Sequence, residues 1–282
     1  MESIIFTNAY GESVTLGRSH PFILRFLDGS GGAETLVQMQ KAPNQDGATY
    51  LDTLLEPRSM TFEVIIRADT QTELFEYRRK LARVFNPKLG LGRLVYQYYG
   101  GEKEIAAAVE LAPVFPSDRD SSGPTFQKSL FTVICPSPFW LDTFTESEEM
   151  AAWLGYFKFP LRFPTRMGAQ GSVRTLNNIG DVEAPVIIEF NGPAVNPKVV
   201  NLTTGEFVRV KRTLAEGDKL TIDTTFGRKR VEINGLNAFN WIDLESTFWQ
   251  LRPGYNVVEY TADSGQENAT VQIKWRNRYS GV

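Results

Sequence analysis

Phe126-Gln127-Lys128-Ser129-Leu130-Phe131-Thr132-Val133-Ile134-Cys135-Pro136-Ser137-Pro138-Phe139-Trp140 is the stretch on which the fold class turns. From 126 to 134, β-branched and aromatic residues recur in the pattern of a half-buried strand. Pro136 and Pro138 then remove two ladder donors and fix extended backbone, so the strand cannot continue through them. A long strand halted by two prolines marks the end of one domain and the start of a crossing to the next.

Upstream of this point the pattern is again sheet. Ser13–Leu16, 21–27, Arg58–Arg67, 93–99 and 104–111 alternate with period two between Gly, Pro or Asp residues. One segment departs from it. Over 70–85, Leu74, Tyr77, Leu81 and Val84 recur at helical spacing opposite Glu76, Arg79, Lys80 and Arg83. Thr70 and Glu73 form a capping-box pair at its start, and Pro87 disfavours helical geometry at Asn86 and ends it. Next comes a hairpin, Leu94-Val95-Tyr96-Gln97-Tyr98-Tyr99, turned at Gly100-Gly101 and returning over 104–111. Its dense aromatics have two readings: sheet core, or a seam with a neighbouring subunit formed by Leu94, Tyr96, Tyr98 and Tyr99.

Downstream, Phe159-Pro160-Leu161-Arg162-Phe163-Pro164 repeats the proline device, and 168–172 is small and polar. The crossing is therefore placed at 141–172, between an N-terminal domain of residues 1–140 and a C-terminal domain of residues 173–282. Thr145 and Glu148 form a second capping-box pair, which predicts a short helix over 145–154. Beyond Arg174, short strands at 185–190, 198–202, 207–211, Lys219–Asp223, 229–233, 247–251, 255–261 and 270–276 follow one another through tight turns. That spacing is expected of a jelly-roll or galectin-like β-sandwich. The fold class expected is mainly β: an N-terminal β-sandwich-like domain with one α-helix and a long hairpin, followed by a C-terminal β-sandwich.

Composition narrows the function. With 282 residues, 42% hydrophobic and 22% charged, the chain has the make-up of a soluble globular protein of two domains. It has no run of 18 apolar residues, so no membrane insertion is expected, and the acidic start Met1-Glu2-Ser3 predicts no Sec export. Thirty basic against thirty-three acidic residues leave a net charge of −3 and no basic field for nucleic acid. The single Cys135 excludes an intramolecular disulfide and fits folding in a reducing cytoplasm. The single His20 precedes Pro21 and has no nucleophile elbow to serve. No cofactor is expected and no metal site. The loop Asp118-Arg119-Asp120-Ser121-Ser122-Gly123 starts like a calcium loop, but Ser129 stands where the bidentate Glu is needed. Asp28-Gly29-Ser30-Gly31-Gly32 lacks the Lys-Ser/Thr ending of a phosphate loop and reads as a flexible loop. Glu189, Glu206, Asp218, Asp223 and Glu232 are numerous enough for glycoside hydrolysis, yet nothing in the spacing makes two of them converge. Sugar binding without catalysis is the stronger rival, because Phe248 and Trp249 are adjacent and a strand would turn one ring outward as a stacking platform.

Several of these segments resemble one family, the distal tail proteins of long-tailed, non-contractile bacteriophages. Cys135-Pro136-Ser137-Pro138-Phe139-Trp140-Leu141-Asp142 resembles the family's junction after the last N-terminal strand, and Phe157-Lys158-Phe159-Pro160-Leu161-Arg162-Phe163-Pro164 its linker. Asn177-Asn178-Ile179-Gly180-Asp181-Val182-Glu183-Ala184-Pro185 resembles the opening of its C-terminal sandwich. Asn201-Leu202-Thr203-Thr204-Gly205-Glu206 and Leu220-Thr221-Ile222-Asp223-Thr224 resemble the first hairpins, and Leu251-Arg252-Pro253-Gly254-Tyr255-Asn256 the penultimate turn. The resemblance implies a structural, non-enzymatic hub at the virion tail tip, made in the host cytoplasm. It implies a homo-oligomeric ring, usually a hexamer, alone or as two stacked rings, with the N-terminal domains making the ring. The implied partners are the tail tube protein above, the tail-tip protein below, and receptor-binding or baseplate proteins around it. A carbohydrate-binding module for host surface glycans is the alternative. No catalytic residue carries over, because the family has none.

Overall fold

The computed structural model describes residues 2–151, 153–154, 169–170, 172–265 and 268–282. The chain divides into two units: Met1–Thr143 together with Tyr279–Val282, and Phe144–Arg278. The architecture is mainly β with one α-helix.

In the first unit, β1 (Ser3–Thr7), β2 (Ser13–Leu16), β3 (Phe22–Asp28), β4 (Thr35–Gln40), β5 (Thr49–Leu55) and β6 (Arg58–Arg67) precede α1 (Gln71–Val84). They are followed by β7 (Leu91–Tyr98), β8 (Gly101–Val114), β9 (Phe126–Cys135) and β10 (Trp140–Asp142). The main sheet is antiparallel in the order β2-β1-β7-β8-β9-β6-β3, with β10 against β8. The sheet curls until its ends meet, where the Gly17 amide donates to Phe22 O and Gly17 O accepts from the Leu24 amide at 2.7 Å. Strand β6 alternates buried Met60, Phe62, Val64 and Ile66 with more exposed neighbours, which is why it occupies one face so cleanly.

Helix α1 lies on that buried face. The predicted capping box is formed: the Glu73 amide donates to Thr70 Oγ1 at 3.2 Å and the Thr70 amide to Glu73 Oε2 at 3.3 Å. Leu74, Leu81 and Val84 are buried, and Phe85 at the helix end stacks on Phe6 (4.5 Å between centroids) and meets Phe131 (4.4 Å). The loop 28–32 is not a free flexible loop. Its Gly29 and Gly31 carbonyls accept from the Arg58 guanidinium, and its Ser30 carbonyl accepts from Trp140 Nε1 at 3.0 Å. Gly29 has φ +85°, and a Cβ there would lie 2.1 Å from Ser59 O, so only glycine fits this approach.

The second unit is a sandwich of two antiparallel sheets. One contains Glu146–Ala151, Thr270–Trp275, Ala184–Asn191, Lys219–Asp223, Arg230–Ile233 and Leu236–Asn237 in that order. The other contains Val173–Asn178, Gly254–Thr261, Lys198–Asn201 and Glu206–Arg209. Val186, Ile188, Phe190, Leu220, Val271 and Ile273 share one core with Leu176, Val199, Val208, Val258 and Tyr260. Phe190 meets Tyr260 edge-to-face at 5.5 Å.

Two further expectations change. The short helix over 145–154 is replaced by the strand Glu146–Ala151, paired with Thr270–Trp275 from Glu146↔Trp275 to Ala151↔Thr270. Six backbone pairings and the burial of Met150 outweigh a capping-box pattern whose local preference is small. The stretch 141–172 thus completes the strand Trp140–Asp142 and holds the strands Glu146–Ala151, Trp153–Leu154 and Ala169–Gln170, the last two paired with each other, while the Phe159 to Pro164 motif lies outside the described residues.

Candidate assembly and docking surfaces

Among the described residues, strands β4 and β5 pair only with each other, from Thr35↔Leu55 to Gln40↔Thr49, and form an arm. Every residue of both strands is exposed, including Leu36, Val37, Met39 (62%), Tyr50, Leu51, Leu54 and Leu55. A lone two-stranded hairpin is only marginally stable in water, and a chain of exposed large apolar side chains marks a surface that another molecule covers. The sequence reading missed this arm. Leu36-Val37 and Leu54-Leu55 are doublets, and strands without a buried face leave no period-two signal to find.

The β7–β8 hairpin forms as expected, but it distributes its residues unequally. Tyr98 pairs with Gly101, so the turn is Tyr99-Gly100, with Gly100 at φ +105°. Leu94 is wholly buried and is core rather than seam. Tyr96 and Tyr98 are half-buried with rings 6.0 Å apart, and Tyr96 is also 6.0 Å from Trp140. Burial, aided by the charge of Glu2, raises the Tyr96 hydroxyl pKa. Of the four candidates only Tyr99, 96% exposed, stands fully free.

In the second unit, Trp249 is 1% exposed and belongs to the core, so it is no stacking platform. The neighbouring Phe248 is the ring that reaches the surface, packed almost parallel to Phe239 at 5.8 Å and 12°. The Lys229 ammonium sits 5.4 Å from the Phe248 centroid and 5.9 Å from that of Phe226. Phe226 is 85% exposed on the turn joining Lys219–Asp223 to Arg230–Ile233. Trp241, two residues after Phe239, carries the Arg212 guanidinium at 4.9 Å. Nothing in the sequence pattern pointed to Phe226 or Phe239, which are distant in sequence from Phe248.

Four of the five carboxylates that the sequence singles out in this unit are held in structural contacts. Burial alone would raise the Glu189 pKa, but hydrogen bonds from Lys219 (2.9 Å) and Lys274 (3.0 Å) outweigh it and hold the carboxyl below its ordinary range. Asp218 is held low chiefly by Asn234 Nδ2, which donates to it at 2.8 Å, and by the Ala215 amide. Asp223 and Glu232 both face Arg230 at 3.6 Å. In the first unit, Asp118 Oδ1 accepts from the Asp120 amide at 3.1 Å and shapes its own loop. Burial pushes the Cys135 thiol up to about 12, which makes it an inert core residue, and His20 is exposed on a loop. Among the described residues, no group of three or more His, Cys, Asp or Glu side chains is placed to hold a metal ion.

Two family descriptions match, and together they span most of the chain. Residues 10–135 match the phage tail protein RIFT-related domain, and residues 179–279 match the siphovirus-type tail component, C-terminal domain. The chain belongs to the siphophage distal tail protein family. Its fold is similar to that of the SPP1 Dit protein, described as a paradigm of the hub adsorption apparatus in phages infecting Gram-positive bacteria. The two are 13% identical, with a TM-score of 0.71 over 99% of each chain. A chain of the phage P2 baseplate in its activated conformation with Ca is 10% identical, with a TM-score of 0.52 over all of both chains. No curated protein matches the distal tail protein in sequence.

Proposed function

We propose that this distal tail protein closes into a homo-oligomeric ring, a hexamer alone or as two stacked rings, and serves as the hub of the tail tip. Residues 1–140 make the ring and residues 173–282 receive receptor-binding or baseplate proteins, with the tail tube above and the tail-tip protein below. The observation that carries the reading is the β4–β5 arm, whose exposed Leu36, Val37, Met39, Tyr50, Leu51 and Leu54 have no core of their own. A projecting apolar arm that docks on a different surface of the next copy is a heterologous contact, and such contacts generate rings when the rotation closes. Tyr99 at the β7–β8 turn is a second exposed anchor on the same unit. The test is the native mass of the purified chain at several concentrations. Six or twelve copies support the ring, and a monomer throughout overturns self-assembly through the arm.

A further inference from the structure

We propose that the second unit carries a binding site for anionic saccharides, built by Phe226, Lys229, Phe239 and Phe248. The inference goes beyond the hub reading and does not depend on it. Four side chains from three separated segments converge here. Lys229 bridges Phe226 and Phe248 at 5.9 and 5.4 Å, which places the two ring centroids within about 11 Å of each other, and Phe239 extends the surface by stacking on Phe248. Phe226, Phe239 and Lys229 are all exposed. Lys229 and the adjacent Arg228 make no ion pair among the described residues, whereas Arg230 is neutralised by Asp223 and Glu232. The patch therefore offers flat apolar rings with uncompensated positive charge beside them.

That combination selects the ligand chemistry. A pyranose presents an apolar face of C–H groups that lies on an aromatic ring, while a carboxylate or phosphate on the sugar meets the ammonium alongside. A protein partner is the poorer match, because the cores of protein interfaces are depleted in lysine, and here a lysine sits at the centre. Single-stranded nucleic acid shares the stacking and the charge, but it is held by a basic groove, and the chain's net charge of −3 gives it no wider field to follow.

The experiment uses the full chain and calorimetric titration with oligogalacturonate and with poly(glycerol phosphate) bearing glucose. Maltoheptaose, inorganic polyphosphate and oligothymidylate serve as the comparison ligands. Saturable binding of at least one anionic glycan is expected, at least tenfold tighter than maltoheptaose. It falls at least tenfold in Phe226→Ala and in Lys229→Ala, and Lys229→Arg restores it. Both alanine variants alter exposed side chains, and an unchanged thermal transition establishes that they fold. Absence of binding by both anionic glycans overturns the proposal. So does binding of polyphosphate as tight as the glycan and indifferent to Phe226→Ala, which is charge alone, and so does tighter binding of oligothymidylate, which is nucleic-acid recognition.

Discussion

Arg58 donates from Nη2 to the carbonyl oxygen of Ser280 at 2.6 Å, across 222 positions of sequence. Its Nε donates to Pro138 O at 2.9 Å and its Nη1 to Gly29 O at 2.7 Å and to Gly31 O, all at a residue that is 1% exposed. One buried cation thus satisfies four carbonyls from three segments and fastens residues 279–282 to the rest of the first unit. Leaving those carbonyls without donors costs roughly 1–3 kcal/mol apiece before relaxation. Arg58→Ala is expected to lower the stability of the first unit by at least about 3 kcal/mol and to free residues 279–282. Urea unfolding and hydrogen exchange at Val282, whose amide donates to Ser30 O, measure the two effects. An unchanged midpoint contradicts the clasp.

Phe85 joins the helix to the sheet through Phe6 and Phe131. Phe85→Ala is expected to cost about 3–5 kcal/mol, and Thr70→Ala, which removes the cap, about 1 kcal/mol. Differential scanning calorimetry resolves where the loss falls. Both variants are expected to lower the transition of the first unit and leave that of the second in place.

The helix was legible because its two signals agree: the stripe of Leu74, Leu81 and Val84, and the Thr70–Glu73 cap. Strands β6 and β9 were legible because each buries one face, so alternation is written into them. Where no face is buried, as in the arm, the signal vanishes. Where pairing alone decides, as in Glu146–Ala151, local preference misleads. The aromatic patch needed three dimensions: Phe248 and Trp249 declare that one ring faces out, but which one depends on strand register, and Phe226 and Phe239 join only through folding.

Lys103 makes an ion pair with the buried Asp142, and its ammonium lies 3.6 Å from the Tyr279 ring centroid. Burial alone would lower the Lys103 pKa, but the hydrogen bonds with Asp142 and Tyr279 outweigh it and raise it. Burial raises Tyr279, with Lys103 opposing and Asp142 reinforcing. A group whose folded pKa is raised gives stability that is complete below its unfolded pKa and is lost as pH rises through the folded one. Both groups therefore act in the same direction, beginning near the unfolded values of about 10 for Tyr and about 10.4 for Lys. The melting temperature is expected to fall on going from about pH 8 to about pH 11.5. Lys103→Met starts lower, since the ion pair with Asp142 is lost, and falls less, because the Lys103 contribution is gone, so the two curves converge. Parallel curves refute the assignment.

Trp249 tests whether the sugar-platform expectation was misplaced by one residue. As a 1% exposed member of the sandwich core, it is expected to cost about 3–5 kcal/mol on replacement by Ala. Phe248→Ala, at a half-buried position, is expected to cost about 1 kcal/mol. Chemical denaturation followed by tryptophan fluorescence separates them, and the reverse order of costs exchanges the inward and outward rings.

The arm gives the most decisive prediction, because assembly and folding respond to it differently. Met39, Tyr50, Leu51 and Leu54 are exposed on β4 and β5 and contribute nothing to the core that α1 and the curled sheet share. Replacing Met39 and Leu54 with Ser therefore leaves the monomer's melting transition within about 0.5 kcal/mol of the original, as for surface substitutions away from special features. If the arm is the ring contact, the same pair removes two apolar anchors per subunit contact. Truncating such anchors costs about 2 kcal/mol or more each, enough to shift assembly by over tenfold per contact. Light scattering is expected to show the original chain as six or twelve copies and the Met39→Ser, Leu54→Ser variant as monomer at the same concentration. Tyr99→Ser, read in the same assay, asks whether the β7–β8 turn shares that seam: a weakened oligomer places it there, and an intact one leaves the arm to act without it.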